Sequence, residues 1–158
     1  MPAASTALTY IDASILVKSY VKESDSPEAV ALIEAAGLPI LFTHLHEIEV
    51  PNAIRLKRFR GELTKAQETI ALHRLQEDLH SGRLVRPDYE LSSVFYRAET
   101  LSGKHSAALG TRSLDLLHIA AALESGCKTF ASFDERQRTC AAHCGLTLIP
   151  AKIARKRA

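Results

Sequence analysis

The feature that most constrains this chain is the alternation of short apolar runs with longer stretches of helical period. Residues 7–11, 39–43, 129–133 and 146–149 are apolar runs of four or five residues, each bounded by turn or helix-start residues. That is strand length, and a continuous apolar run suits a strand covered on both faces. Helical patterns fill the gaps: 14–22, 26–36, 45–60, 63–82, 90–109 with a break expected near Gly103, 113–125, and 135–143. Leu84-Val85-Arg86 reads as one more short strand. The alternation predicts an α/β fold with a mainly parallel central sheet of about four to five strands, helices lying on both faces. Ser26-Pro27-Glu28 is a helix start, with serine as cap and proline in the first turn, and Gly37 is its stop. Pro51 falls inside 45–60, where a missing N–H predicts a bent or irregular first turn.

At 158 residues the chain predicts one compact domain over 1–150, with a basic tail at 151–158. Net charge is only +2, which argues against the molecule as a whole being a polyelectrolyte binder. Charge is local instead. Arg55-Leu56-Lys57-Arg58-Phe59-Arg60 and Lys152-Ile153-Ala154-Arg155-Lys156-Arg157 each read as a nucleic-acid or partner contact, or as a solvated face and a terminus. Three cysteines, Cys127, Cys140 and Cys144, make no disulfide framework and suggest a reducing compartment. Cys140 and Cys144 flank His143, but zinc needs about four ligands and no second cluster exists. No apolar run nears the ~18 residues of a membrane span, and the first residues lack a signal-peptide pattern. A cytoplasmic protein without a membrane association is expected.

The chemistry lies in four acids. Asp12 ends the first apolar run and Asp134 follows the run at 129–133. Asp115 opens the apolar stretch 114–123, and Glu49 lies in Leu45-His46-Glu47-Ile48-Glu49. Carboxylates beside dry surfaces are costly unless paired, hydrogen-bonded or bound to a cation. Ligands of open parallel sheets bind at the carboxyl ends of the strands, which is where Asp12 and Asp134 stand. An all-oxygen set of this kind suits Mg²⁺ or Mn²⁺. Ser14 and Ser132 supply nearby hydroxyls, and Arg112 is either a phosphate contact or a plain surface arginine. Each aspartate taken alone is also an ordinary helix cap or first-turn acid. His118 reads as a packed core histidine rather than a base. If Leu45, Ile48, Asn52, Leu56 and Phe59 define the inward face of their helix, Glu49 turns inward and Glu47 outward with Pro51, Ile54 and Arg58.

The segments Tyr10-Ile11-Asp12-Ala13-Ser14, Leu45-His46-Glu47-Ile48-Glu49-Val50-Pro51-Asn52-Ala53, Ser113-Leu114-Asp115-Leu116-Leu117-His118-Ile119-Ala120 and Ser132-Phe133-Asp134-Glu135-Arg136 together resemble the PIN domain. Within that family they are similar to the VapC toxins of toxin–antitoxin pairs, and the likeness runs from about Thr9 to Ile149. It implies a PIN-like α/β/α sandwich and an endoribonuclease dependent on Mg²⁺ or Mn²⁺. It implies catalytic and metal-binding roles for Asp12, Glu49, Asp115 and Asp134, with Ser14 as the accessory hydroxyl. It also implies a homodimer neutralised by a cognate antitoxin, and so a higher assembly with that partner. Two rivals remain at this point. One is an aspartate-nucleophile phosphatase, although Ser14 stands where a second acid is wanted and Lys128 is its only candidate phosphate lysine. The other is a catalytically silent PIN-like module that binds RNA or a partner. No Gly-rich phosphate loop, His-Glu-x-x-His or Gly-x-Ser-x-Gly motif offers a further route.

Overall fold

The structure is a computed structural model and describes residues 8–153. Among these the order is β1 (Thr9–Ile11), α1 (Ala13–Tyr20), α2 (Ser26–Ala36), β2 (Ile40–Leu41), α3 (His44–Phe59), α4 (Lys65–His80), β3 (Leu84–Val85), α5 (Leu91–Leu109), α6 (Ser113–Glu124), β4 (Thr129–Ala131), α7 (Glu135–His143) and β5 (Thr147–Ile149). Packing divides the chain into two compact units, one of residues up to Tyr10 together with Asp88 onward, the other Ile11–Pro87. The division falls at the end of β1. The fold class expected from the alternation is the one found, with parallel strands and helices between them. The five strands are arranged as a three-stranded sheet in the order β1-β4-β5 and a pair, β2-β3.

In the unit Ile11–Pro87, α1 packs against α2, α3 and α4. β2 and β3 pair in parallel, Ile40 opposite Leu84 and Leu41 opposite Val85. Thr64 caps α4 by accepting from the Gln67 N–H at 3.2 Å, while the Gln67 side chain accepts from the Thr64 N–H at 2.8 Å. At α2 the cap is Asp25 and not Ser26, which is instead the first helical residue. The Ser26 hydroxyl accepts from the Glu23 N–H at 2.8 Å and closes the preceding turn.

Helix α3 departs from expectation twice. It runs through Pro51 without a break, so the proline costs one hydrogen bond but no turn of helix. Its rotation also differs. The buried residues are His46, Val50 and Ile54, one per turn. Ile48, Leu56 and Phe59, expected inside, are 71%, 41% and 87% exposed. The cause is polar. His46 Nδ1 accepts from the Thr43 N–H at 3.0 Å, and its Nε2–H then donates to the Ile11 carbonyl at 2.8 Å. Two buried hydrogen bonds outweigh one apolar side chain when the alternative leaves a buried carbonyl unpaired.

In the other unit, β4 and β5 pair in parallel with Thr129 opposite Thr147 and Ala131 opposite Ile149. The Lys128 N–H donates to the Leu8 carbonyl at 3.0 Å beside β1. Helix α6 is enclosed on nearly every side: Leu116, His118, Ile119 and Ala120–Ala122 are all buried. Its alanines let α5 and α7 pack against it. Tyr10 stacks on Phe130 at 5.3 Å between centroids. Helix α5 passes through Gly103 uninterrupted, against the expected break; one interior glycine costs about 1 kcal/mol, too little to end a packed helix. No described helix is long and apolar enough to cross a membrane. Most of the basic tail, 154–158, lies outside the described residues.

Two polar contacts join α1 to α4: Arg74 Nη2 donates to the Ser19 carbonyl at 3.3 Å, and Tyr20 reaches Asp78. The Tyr20 hydroxyl donates to Asp78 Oδ2 at 2.8 Å, and Asp78 Oδ1 accepts from Arg83 Nε at 3.1 Å. Burial first, then Asp78, pushes the Tyr20 hydroxyl well above the ordinary tyrosine range. Its folded pKa therefore exceeds the unfolded one. The stability it contributes is complete below about pH 10 and is lost as pH rises through the folded value. Tyr20→Phe is expected to lose about 1 kcal/mol at neutral pH and to flatten the alkaline decline. Urea melts from neutral to strongly alkaline pH check it, and an unchanged alkaline slope would contradict the assignment.

Candidate metal and phosphate site

Asp12 is the residue before α1, and its carboxylate does not cap that helix. The side chain is 8% exposed and Oδ2 accepts from the Ser14 hydroxyl at 2.5 Å. The serine expected as an accessory hydroxyl is thus in direct contact with the acid. The Asp12 carbonyl still starts the helix, accepting from the Ile15 N–H at 3.0 Å. Glu49 is half-buried and, with Ser14 and Asn52, lines a cavity of about 280 Å³ whose other walls are Ala13, Val17, Ala53 and Leu56. Glu47 points elsewhere and pairs with Arg86, while Arg58, expected on the same outward face, pairs with Glu68 at 2.7 Å. Glu49 and Glu47 thus have different surroundings, and the helix rotation expected for this segment is not the one found.

Asp115 and Asp134 belong to the other unit and are bridged by one arginine. Arg112 Nε donates to Asp115 Oδ2 at 3.1 Å and its Nη2 to Asp134 Oδ2 at 3.2 Å. The hydrogen bond and charge of Asp115, with Asp134 adding, hold the Arg112 guanidinium above even its usual range. Asp115 is 7% exposed and sits in the first turn of α6, where the helix dipole favours it. Asp134 is a true helix cap, its Oδ1 accepting from the Arg136 and Gln137 N–H groups at 2.9 and 3.1 Å. Ser132 is fully buried and accepts from the Asp134 N–H at 3.0 Å, so it shapes the turn that carries the acid.

Two residues that sequence reasoning passed over shape these acids. His46 fixes the carbonyl immediately before Asp12. Arg138, buried in a helix of polar composition, donates to the Ser132 carbonyl at 2.9 Å and the Pro150 carbonyl at 2.6 Å. Burial lowers its pKa, with Glu135 opposing. His118 is a packed residue as expected, but its partner is distant in sequence: the Tyr10 hydroxyl, 2.7 Å from Nδ1. The three cysteines are free, and burial pushes the Cys127 thiol up to about 12.

The donor set is all carboxylate and hydroxyl oxygen, the chemistry that Mg²⁺ and Mn²⁺ prefer. Asp115 and Asp134 share the positive guanidinium of Arg112. Among the described residues no group of three or more His, Cys, Asp or Glu side chains is gathered to hold an ion.

An α/β chain with acids after β1 and β4, and at the start of a buried helix, defines a class of carboxylate-bearing domains with parallel sheets. The PIN domain model matches residues 9–142, and the chain belongs to that family. No curated protein matches it. Among solved structures it is similar to the crystal structure of FitAcB from Neisseria gonorrhoeae, at 14% identity and a TM-score of 0.62. The match covers 90% of this chain and 97% of that one. At that identity the likeness is one of fold.

The dual duty of Asp134 gives a test. Asp134→Ala removes the cap and one Arg112 partner, and is expected to cost about 0.5–2 kcal/mol. Asp134→Asn keeps a capping oxygen and is expected to stay close to wild type. Equal thermal stability of the two variants would remove the cap from the account.

Proposed function

We propose that this chain is a divalent-metal-dependent endoribonuclease of the VapC toxin type, held inactive by a cognate antitoxin. The observation that carries this reading is the family match over 9–142, with acids at all four motif positions: Asp12, Glu49, Asp115 and Asp134. PIN domains are generally nucleases. In this reading the four carboxylates hold the metal. Bound there, Mg²⁺ or Mn²⁺ supplies the charge that acidifies a water and offsets the negative charge growing on the phosphate. Ser14 keeps the Asp12 carboxylate oriented. His46 and Arg138 hold the backbone beside Asp12 and beside Asp134. Arg112, which touches both Asp115 and Asp134, binds the scissile phosphate. A homodimer, and a complex in which the antitoxin covers the acids, belong to the same reading and rest on the motif resemblance. The phosphatase and silent-module readings gain nothing from the structure, since Asp12 is paired to a serine and all four acids are present.

RNA cleavage is expected to require Mg²⁺ or Mn²⁺ and to stop in excess EDTA. Asp12→Asn, Asp115→Asn and Glu49→Gln are each expected to lose activity on the order of a hundredfold or more. Glu47→Gln is expected to retain most of it, because Glu47 is engaged with Arg86. A metal titration with labelled RNA, run beside a generic phosphate ester, decides the class. Full cleavage in EDTA, or turnover of the ester in place of RNA, sinks the proposal.

A further inference from the structure

The basic segment at the end of α3 is not used by the acids, and its charges are not equivalent. Lys57 pairs with Glu23 and Glu62, both at 3.0 Å, and Arg58 pairs with Glu68 at 2.7 Å. These two cations are consumed within the fold. Arg60 has only a distant partner, Glu62 at 3.9 Å, and its side chain is 61% exposed. Arg55 is exposed and, among the described residues, makes no ion pair. The cations left over share one face with apolar groups that nothing in this unit covers. Asn52, Arg55, Leu56 and Phe59 are spaced three and four apart on α3, with Phe59 the most exposed large apolar side chain among those described. The stripe starts at Glu49, so it is continuous with the cavity that Glu49 and Ser14 line. From Glu49 to Phe59 is ten residues of helix, about 15 Å.

We propose that this stripe of α3 is the track for the single-stranded RNA flanking the cut: Phe59 stacks a base, Arg55 and Arg60 take phosphates, and Asn52 faces the nucleotide nearest Glu49. The proposal rests on the nuclease reading for which end of the strand meets the acids. Its own support is charge and shape. A face with Arg55 free of ion pairs among the described residues and Arg60 held only at 3.9 Å by Glu62, set around one exposed ring, complements a polyanion with aromatic bases. The amide of Asn52 presents both a donor and an acceptor, as a base edge requires.

The test separates binding from cleavage. In the Asp12→Asn background, with Mg²⁺ present so that RNA is held uncut, anisotropy of a short labelled single-stranded oligoribonucleotide reports affinity. Phe59→Ala is expected to weaken binding roughly tenfold, and Phe59→Trp to restore it. Arg55→Gln is expected to reduce the slope of log affinity against log salt by about 0.7, one phosphate contact on a single strand. Phe59 and Arg55 are exposed, so neither change threatens folding. If both variants bind as the background protein does, the track is wrong, and metal-dependent cleavage by wild type leaves the nuclease reading standing. If the binding losses appear while wild type cuts no RNA, the track stands and the nuclease reading falls. If Phe59→Ala abolishes self-association in light scattering and leaves RNA affinity unchanged, the face is a protein interface and the proposal is overturned.

Discussion

The last two residues of β1 and the one that follows it carry the constraint on which the rest depends. They are consecutive, and each is held by a different polar partner. Tyr10 is hydrogen-bonded to His118, the Ile11 carbonyl accepts from His46, and the Asp12 carboxylate accepts from Ser14. All three are buried, so an unmade bond at any of them would cost about 1–3 kcal/mol. Tyr10 is also stacked on Phe130, which ties β1 to its sheet through packing as well as polarity. The arrangement explains why two histidines sit where apolar side chains would suffice for volume. They hold a strand end rigid at the point where a carboxylate must be presented rather than spent on capping its own helix. Asp134 shows the other solution, since one of its oxygens caps α7 and the second faces Arg112.

Much of the fold was legible because its signals are local. The Gly37 stop, the proline in the first turn of α2 and the apolar runs each act over a few residues, and the helices and strands fall within two residues of where these signals put them. Gly103 and Pro51 were over-read. A single breaker costs about 1–3 kcal/mol, and a helix packed along its length absorbs that. The rotation of α3 was misread for a different reason. Hydrophobic periodicity weighs Ile48, Leu56 and Phe59 as core residues and His46 as surface, whereas the buried Ile11 carbonyl demands a donor and takes His46. Nothing in the spacing of α3 announces a carbonyl that comes from a distant strand. The acids were legible as a set because four of them lie in motif positions. Their supports were not, because Arg138 reads as one more polar residue in a polar helix and its acceptors are backbone carbonyls. The apolar stripe left outside by the true rotation is what gives α3 its exposed ring beside Arg55.

The carboxylates are not left bare, and the way each is covered differs in kind. Asp12 has a neutral hydroxyl, Asp115 and Asp134 have a tethered guanidinium, and Glu49 stands at the wall of an open cavity. A hydroxyl lowers the cost of burying the charge without cancelling it. A guanidinium cancels it, so Arg112 and any free cation compete for the same oxygens. Competition of this kind is reciprocal: whatever draws Arg112 away raises the affinity of those oxygens for a cation by the same factor that the cation raises Arg112's availability. In the proposed reading the group that draws Arg112 away is the substrate phosphate. Metal and RNA then favour each other through one side chain, and neither oxygen pair nor guanidinium is left uncompensated when both are absent. A surface lysine could not serve as well, because the planar fork of arginine reaches both carboxylates at once.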